Sequence, residues 1–304
     1  MSTLTPSTTA TGDRPRGPRS APPRPKLRRS SPRRRRRWFG ALAVAIAVVW
    51  AFPVYWMLNS SFLPFNRIRS PEPTFFPVGG TVAAYERVFE SNFLSALRVS
   101  ATVTLITVAA ALLFAFLAAL ALSRFRFRGR RSFLLAVLII QMIPAEGLFI
   151  SQFKLLEGWQ LLNSVVGLSL LYVAAVVPFT IWMLRGFVNG VPRELEEAAL
   201  VDGCSRVQAF FRITLPLLAP GLVASGVYAF LQAWNEFTLA LVVMTRPDNM
   251  TLPLWLKTFT EANRASDWAG IMAGSVVIAI PVMIFFLFVQ HRMTSGLVSG
   301  AVKG

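Results

Sequence analysis

The chain has 304 residues, of which 54% are hydrophobic and only 15% charged, and its mean hydropathy is +0.55. Soluble domains carry about a quarter charged residues, so this composition excludes an ordinary soluble domain and indicates a membrane protein. The net charge of +17 would also fit a nucleic-acid-binding protein, but the basic residues lie in a terminal tail and between apolar blocks. One cysteine and one histidine exclude an intrachain disulfide and leave almost no material for a zinc site or a histidine-dependent triad.

The N-terminal segment 1–37 is rich in proline, arginine, serine and threonine and contains twelve of the 31 basic residues. Such a segment cannot bury enough apolar surface to fold, so we expect a disordered, basic cytoplasmic tail. A signal peptide is the alternative for the apolar run that follows. The long basic region before the run and the absence of a small-residue cleavage site favour a retained first membrane span instead.

Hydropathy predicts an all-α membrane protein with six spans. Each span needs about 20 predominantly apolar residues to cross the hydrocarbon. The third segment contains Pro144 and Glu146 and the fourth contains Pro178, which makes these two the weakest. Proline is tolerated where neighbouring helices satisfy the freed backbone groups. The candidate segments are 38–59, 98–122, 132–152, 164–185, 215–244 and 269–290.

The arginine distribution predicts the orientation of these spans. Segments 123–131 and 186–214 are basic, as are the N-terminal tail and the short C-terminal tail, and they alternate with segments of mixed or sparse charge. Basic residues flanking spans mark the cytoplasmic side. We therefore expect both termini to be cytoplasmic and the segments 60–97, 153–163 and 245–268 to lie outside, as turns or short helices at the membrane surface.

The cytoplasmic segment 191–216 predicts two short helices joined at a glycine. Pro192 suits a first helical turn, the nearby acids Glu194, Glu196 and Glu197 suit a helix N-terminus, and Gly203 suits the break. A second helix is expected over 205–212, before Pro216 opens the next span.

One face of the first helix carries Leu195, Ala198, Ala199 and Asp202. This pattern fits a docking surface for a soluble partner protein. On physical grounds it fits equally well an amphipathic helix that lies on the membrane surface.

The string Glu197-Ala198-Ala199, three residues, Gly203, nine residues, Ile213-Thr214-Leu215-Pro216 resembles the EAA loop of bacterial ABC importer permeases. Residues 38–304 also resemble the maltose-type second permease of carbohydrate importers. The matching pieces are Asn163 to Leu170, Pro178-Phe179 with Trp182, Pro192 to Pro216, Trp234 to Phe237, Thr251-Leu252-Pro253 and Gly300 to Gly304.

This resemblance implies a type I importer permease domain over 38–304 in a bacterial inner membrane. It implies that the loop docks on a cytoplasmic ATPase, with Glu197 as acidic anchor, Ala198 and Ala199 in close contact, and Gly203 as the turn. Asp202, Arg206, Ile213, Leu215 and Pro216 complete the expected docking set. The implied partners are a second permease, two ATPase subunits, an extracellular solute-binding protein and a sugar.

No phosphate-binding Gly-x-x-x-x-Gly-Lys-Ser/Thr string occurs in the chain, so we expect the ATPase partner to hydrolyse ATP and this chain to bind no cofactor.

Several polar and aromatic residues fall within predicted spans, and each has two interpretations. Glu236, Asn235 and Gln232 in the fifth span, and Gln141 and Glu146 in the third, either contact substrate along a pathway or anchor helices to each other. We favour the structural interpretation for Glu236. Trp234 and Phe237 either stack on a sugar face or, more commonly for aromatic residues in spans, pack against neighbouring helices.

Two rival functions follow from the same residues. An ion-coupled secondary transporter would use the carboxylates Glu146 and Glu236 and would show repeat symmetry between its halves, of which we see no clear sign. An intramembrane enzyme would need a nucleophile–base or metal constellation, for which one cysteine and one histidine leave almost no material.

Overall fold

The structure is a computed structural model that describes the backbone of residues 32–260 and 266–300 and the side chains of residues 38–260 and 266–290. The backbone in these ranges forms helices and turns without strands, which agrees with the all-α prediction. The helices are α1 Pro32–Ser61, α2 Phe65–Ile68, α3 Ala83–Glu90, α4 Phe93–Arg124, α5 Arg130–Gln141, α6 Phe149–Gly158, α7 Val165–Gly190, α8 Arg193–Val201, α9 Arg206–Ala209, α10 Leu215–Asn235, α11 Thr238–Val243, α12 Leu252–Leu256 and α13 Trp268–Gly300.

Five helical segments in the described part of the chain are long and apolar enough to cross a membrane: Trp38–Ser61, Phe93–Arg124, Val165–Gly190, Arg206–Asn235 and Trp268–Gln290. A sixth crossing exists if the bent pair Arg130–Gln141 and Ala145–Gly158 counts as one span. The predicted spans overlap all of these. The observed helices of the second, fourth and sixth spans are longer than predicted, since helices continue beyond the hydrocarbon into its polar border.

The third predicted span, 132–152, is not one continuous helix. Helix α5 ends at Gln141, and the chain resumes as a 3₁₀ turn, Ala145–Leu148, that leads into α6. The two halves are bent by 92° at this break. Pro144 lies in the break with extended dihedral angles, and without an N–H it cannot donate to the carbonyl of the preceding helical turn. Inside α7, by contrast, Pro178 is accommodated without a break.

The contacts of the chain divide it within α1, into residues 1–52 and residues 53–304. In the first unit, helix α1 already begins at Pro32, inside the segment predicted to be a disordered tail. Proline is favoured at the first position of a helix and the following arginines are good helix formers, which accounts for the earlier start. The rest of that predicted tail, residues 1–31, lies outside the described residues.

The core of the second unit is built where α4 packs against α7 and α10. Ala111, Ala115 and Ala119 are fully buried and repeat every four residues along α4. Small side chains at this spacing let two membrane helices approach closely. A second close approach lies at Gly221 of α10, where an added Cβ atom would fall 2.4 Å from Cγ of Phe187 on α7. These positions fix how the three helices cross.

One asparagine in the loop before α7 forms hydrogen bonds with the segment after α11. Asn163 has φ 56°, and its side-chain oxygen accepts hydrogen bonds from the backbone N–H of Thr245 at 2.7 Å and of Arg246 at 2.8 Å. Its carbonyl oxygen accepts a third from Nδ2 of Asn249 at 2.8 Å. Asn163 belongs to one of the strings that resemble the carbohydrate permeases. These hydrogen bonds give a physical reason for an asparagine at this position.

Candidate functional site

The segment 191–216 adopts the predicted helix–glycine–helix form. Pro192 is the N-cap of α8, Glu194 and Glu196 lie in its first turn, and Gly203 follows it with φ 86°. Ser205 and Gln208 form a reciprocal capping box at the start of α9. The second helix differs from the prediction, since α9 ends at Ala209 and continues through a π-helical turn, Phe210–Thr214, into α10. Pro216 occupies the first turn of α10.

The expected docking residues differ in their accessibility. Five of the nine lie on the exposed face of the α8–α9 loop: Glu197, Ala198, Asp202, Gly203 and Arg206. Pro216 is exposed as well, while Ile213 and Leu215 are half-buried. Ala199 departs from the expectation because it is only 4% exposed. Its small side chain therefore lets α8 pack closely within this chain and does not offer a surface to a partner.

Two apolar residues on this loop were missed by the sequence reasoning. Val201 is 88% exposed and Val207 is 65% exposed, on either side of Gly203. Single exposed apolar residues are common on proteins, so these two valines support a partner contact only together with the exposed Glu197 and Ala198 of the same loop. Their signal in the sequence was a branched apolar residue on each side of the turn glycine, among the polar residues Asp202, Ser205, Arg206 and Gln208.

Glu196, and not the signature residue Glu197, makes the strongest contacts within the loop. Its Oε1 atom lies 2.8 Å from Nη2 of Arg124 at the end of α4 and accepts a hydrogen bond of 2.9 Å from Oγ1 of Thr214. Arg193 donates to the carbonyl oxygens of Ser123, at 3.0 Å, and Arg124, at 3.1 Å. Helix α8 is thereby attached to the end of α4 and to the turn that enters α10. The sequence could not single out Glu196, since three acids share that helical turn.

A cavity of about 400 Å³ opens beside these contacts. Both signs of charge line it, so it can receive a polar protein surface more readily than an apolar one. Glu197 contributes to this lining although it makes no ion pair within the described residues. The lining consists of Arg124, Phe125, Arg193, Glu196, Glu197, Leu200, Arg206 and Ala209.

A second cavity, of about 220 Å³, lies between the spans. Its lining includes Gln141 of α5 and Glu236, two of the predicted pathway residues. Gln232, Tyr172 and Tyr228 line it as well. The two tyrosines were not singled out in the sequence, because tyrosine within an apolar span is also typical of helix packing. Amides and phenol hydroxyls both donate and accept hydrogen bonds, which suits a hydroxyl-rich solute.

Glu236 does not lie inside a continuous fifth span, contrary to the sequence prediction. It follows the end of α10 in an extended conformation, with φ −70° and ψ 127°, and precedes α11. Its carboxylate accepts hydrogen bonds from Tyr172 Oη at 2.5 Å and from the backbone N–H groups of Leu239 at 2.7 Å and Ala240 at 3.1 Å. The carboxylate satisfies free donors at the start of α11 and links it to α7, which accords with the structural interpretation.

The remaining predicted pathway residues do not join this cavity. Trp234 is 4% exposed and stacks on Phe230 at 5.5 Å between ring centroids, so it packs against neighbours and does not face a solute. Phe237 is half-buried against the core. Asn235 is exposed and donates to the carbonyl oxygen of Leu231 at 2.9 Å. Glu146 is exposed in the 3₁₀ turn after the break in the third span.

Comparison with known proteins places the chain in one family. Residues 111–297, more than half of the chain, match the family described as the binding-protein-dependent transport system inner membrane component. The diacetylchitobiose uptake system permease protein of Streptomyces coelicolor is 42% identical over 88% of this chain and 97% of its own length. The trehalose transport system permease protein of Mycobacterium tuberculosis is 34% identical over 89% of this chain and 99% of its own.

A more distant relative and a solved structure agree with this assignment. The trehalose/maltose transport system permease protein of Thermococcus litoralis is 33% identical over 86% of this chain and 95% of its own length. A chain in the crystal structure of a bacterial ABC transporter involved in the import of the acidic polysaccharide alginate has the same fold, with a TM-score of 0.70 at 23% identity. That alignment covers 84% of this chain and 96% of the other. The predicted type I importer permease fold is confirmed.

The family resemblance inferred from the string around Glu197 and Gly203 is therefore confirmed. Proteins of this family are membrane components that bind no cofactor of their own. The chain belongs to the binding-protein-dependent transport system inner membrane components, the multi-pass permeases of ABC transporters, and is not itself an enzyme.

Proposed function

We propose that this chain is a permease subunit of an ATP-driven importer for a sugar or oligosaccharide, and that it forms half of the translocation pathway. The observation that carries the proposal is the exposed helix–glycine–helix loop between two spans, with Glu197, Ala198 and Gly203 on its surface. The carbohydrate part rests on the relatives, whose names refer to diacetylchitobiose, trehalose and maltose uptake.

The loop would be the point at which an ATPase subunit acts on the membrane helices. Movement of α8 would be passed to two spans at once, since Glu196 bonds to Arg124 on α4 and to Thr214 at the entry to α10. A rigid connection of this kind suits alternating access, in which the spans rotate together. The exposed side of the loop, including Val201 and Val207, would contact the ATPase.

The proposed assembly contains this chain, a second homologous permease, two cytoplasmic ATPase subunits and an extracellular solute-binding protein. The permease domain would extend over residues 38–304, with both chain termini in the cytoplasm. The basic segments 123–131 and 186–214 support this orientation, because arginine and lysine accumulate on the cytoplasmic side of spans. The bacterial inner membrane is the corresponding location.

The cavity around Gln141, Tyr228 and Gln232 would contribute to the pathway. Its uncharged donors and acceptors match the hydroxyl groups of a sugar, whereas Glu236 already accepts three hydrogen bonds and acts as the link between α7 and α11. The ion-coupled alternative rests on Glu146 and Glu236 as a pair of carboxylates. Glu146 does not line this cavity, which weakens that alternative.

The coupling proposal is tested by changing the turn of the loop in the assembled importer. Gly203 has φ 86° and open space around its Cα atom, so Gly203→Ala strains the turn without a steric clash. A non-glycine residue in this conformation costs roughly 1–2 kcal/mol, which should displace the docking surface. Gly190→Ala is the matched control, because that glycine is also in open space and has no positive φ.

The measurements are sugar-stimulated ATP hydrolysis and ATP-driven sugar uptake in proteoliposomes. We expect Gly203→Ala and Glu197→Ala to reduce both strongly, while Gly190→Ala retains them and all variants insert in the membrane. Uptake that continues without ATP, or that is unaffected by both loop substitutions, would contradict coupling through this loop. Uptake that follows an ion gradient instead would support the secondary-transporter alternative.

A further inference from the structure

The loop between α4 and α5 concentrates positive charge without any nearby acid along the chain. Arg126, Arg128, Arg130 and Arg131 lie in it, and no aspartate or glutamate occurs between Glu90 and Glu146. None of these four arginines forms an ion pair within the part of the chain that the structure describes. Their neighbour Arg124, at the end of α4, differs because it pairs with Glu196 of the docking loop. The other four charges are therefore free to meet an external anion.

Three of these arginines surround a cavity. The turn at Gly129, with φ 89°, reverses the chain so that Arg126 and Arg130 lie around the same space of about 340 Å³. Arg128 is exposed next to it. The complete lining is Arg126, Phe127, Gly129, Arg130, Arg131 and Ser132. Several arginines lining one cavity suit the oxygens of a phosphate, to which a guanidinium group can donate paired hydrogen bonds.

Exposed phenylalanine side chains lie beside the arginines in the same stretch of chain. Phe127 is 47% exposed and Phe133 44%. The loop joins a long apolar span to the apolar helix α5, so it lies at the edge of the hydrocarbon. A loop at this depth can turn apolar phenylalanine rings toward the acyl chains and its arginines toward the headgroups. An aqueous anion site would not require these rings to be exposed.

We propose that this loop binds the phosphate group of an anionic phospholipid, with Arg126, Arg130 and Arg131 as its ligands. Basic clusters immediately next to a membrane helix attract anionic lipids. A water-soluble partner protein with an acidic surface would match this loop less well than a lipid. It would leave the side chains of the adjacent phenylalanines exposed to water. The bound lipid would hold the loop at a fixed depth, next to the end of α4 that carries Arg124. Binding of this lipid is independent of the proposed sugar.

The test measures lipid binding to the assembled importer, purified in neutral detergent, by native mass spectrometry. Phosphatidylglycerol and phosphatidylcholine are titrated separately onto the wild type and onto Arg126→Gln/Arg131→Gln. We expect the wild type to prefer phosphatidylglycerol and the double variant to lose about 30-fold in affinity for that lipid alone. Arg67→Gln/Arg69→Gln removes the same charge from another connecting segment and should retain the preference.

Further measurements separate the alternatives. Arg126→Lys/Arg131→Lys keeps the charge but loses the paired donors, so it should give an intermediate affinity. An unchanged preference in the glutamine variant, or an equal loss in the Arg67/Arg69 control, overturns the proposal. Displacement of phosphatidylglycerol by millimolar inorganic phosphate would identify a free-anion site and also overturn it. Loss of the ATPase subunits from the glutamine variant would reveal a protein-docking surface instead.

Discussion

Nη2 of Arg124 and Oε1 of Glu196 lie 2.8 Å apart, which joins the end of a membrane helix to the loop proposed to contact the ATPase. Their side chains are only 15% and 31% exposed, so the pair is better protected from water than a surface ion pair. The same carboxylate oxygen accepts a hydrogen bond from Thr214, and a single group therefore connects three elements. Loss of this group should affect communication between them before it affects their assembly.

Glu196→Gln should reduce ATP-driven uptake several-fold while the permease still inserts and assembles. The substitution removes the charge that attracts Arg124, with a loss of about 1 kcal/mol for a partly exposed pair. Uptake and ATP hydrolysis are measured in proteoliposomes. Glu194→Gln is the control, because it removes the same charge from an exposed position on α8. Equal effects of the two substitutions would show that the helix N-terminal charge matters and the ion pair does not.

Glu236 should act as a structural link, and Gln232 as a solute contact. Glu236→Gln weakens the bonds to Tyr172 and to the start of α11, so we expect a lower Tm in detergent and a KM for sugar that changes by less than about twofold. Gln232→Ala removes a polar group that only lines the cavity, and should raise KM at unchanged Tm. The opposite pattern, with KM raised only by Glu236→Gln, would make that carboxylate the solute contact.

Gly221→Ala should destabilise the crossing of α7 and α10. Its new methyl group would fall 2.4 Å from the Phe187 ring, and such overpacking costs about 1–3 kcal/mol. Phe187→Ala in the same chain should recover part of this loss, which a double-mutant cycle of thermal unfolding in detergent would measure. Gly186→Ala, where nothing lies within 4 Å, should be tolerated. Equal losses at both glycines would indicate that helix packing is not the cause.

Asn163 should stabilise the loop before α7 through its side chain more than through its backbone conformation. Asn163→Gly allows the positive φ but removes the acceptor for Thr245 and Arg246, so we expect a loss of about 1–2 kcal/mol. Gln160, with φ 55°, provides the control: Gln160→Gly should be neutral or stabilising. Thermal unfolding of both variants distinguishes the two contributions. A neutral Asn163→Gly would show that only the backbone conformation matters.

The sequence by itself determined those features that depend only on residues close together along the chain, such as hydropathy, helix caps and turns. The apolar segments are visible because burial in hydrocarbon acts on each stretch of about 20 residues independently of the rest of the chain. The loop around Glu197 and Gly203 was recognisable for a similar reason, since caps and turns depend on residues a few positions apart. The break at Pro144 could be suspected, but not its angle of 92°, which depends on what the two halves pack against.

Only the tertiary structure decided which of several equivalent residues makes each contact. Residues 193–197 carry three acids, and the approach of α4 selected Glu196 as the partner of Arg124. Packing elsewhere in the chain buried Ala199 and Trp234, which the sequence had left as candidates for exposed function. It also placed Glu236 after the end of α10, where the free N–H groups of α11 and the hydroxyl of Tyr172 meet its carboxylate. Contacts between residues so distant along the chain follow from helix packing, which no local pattern records.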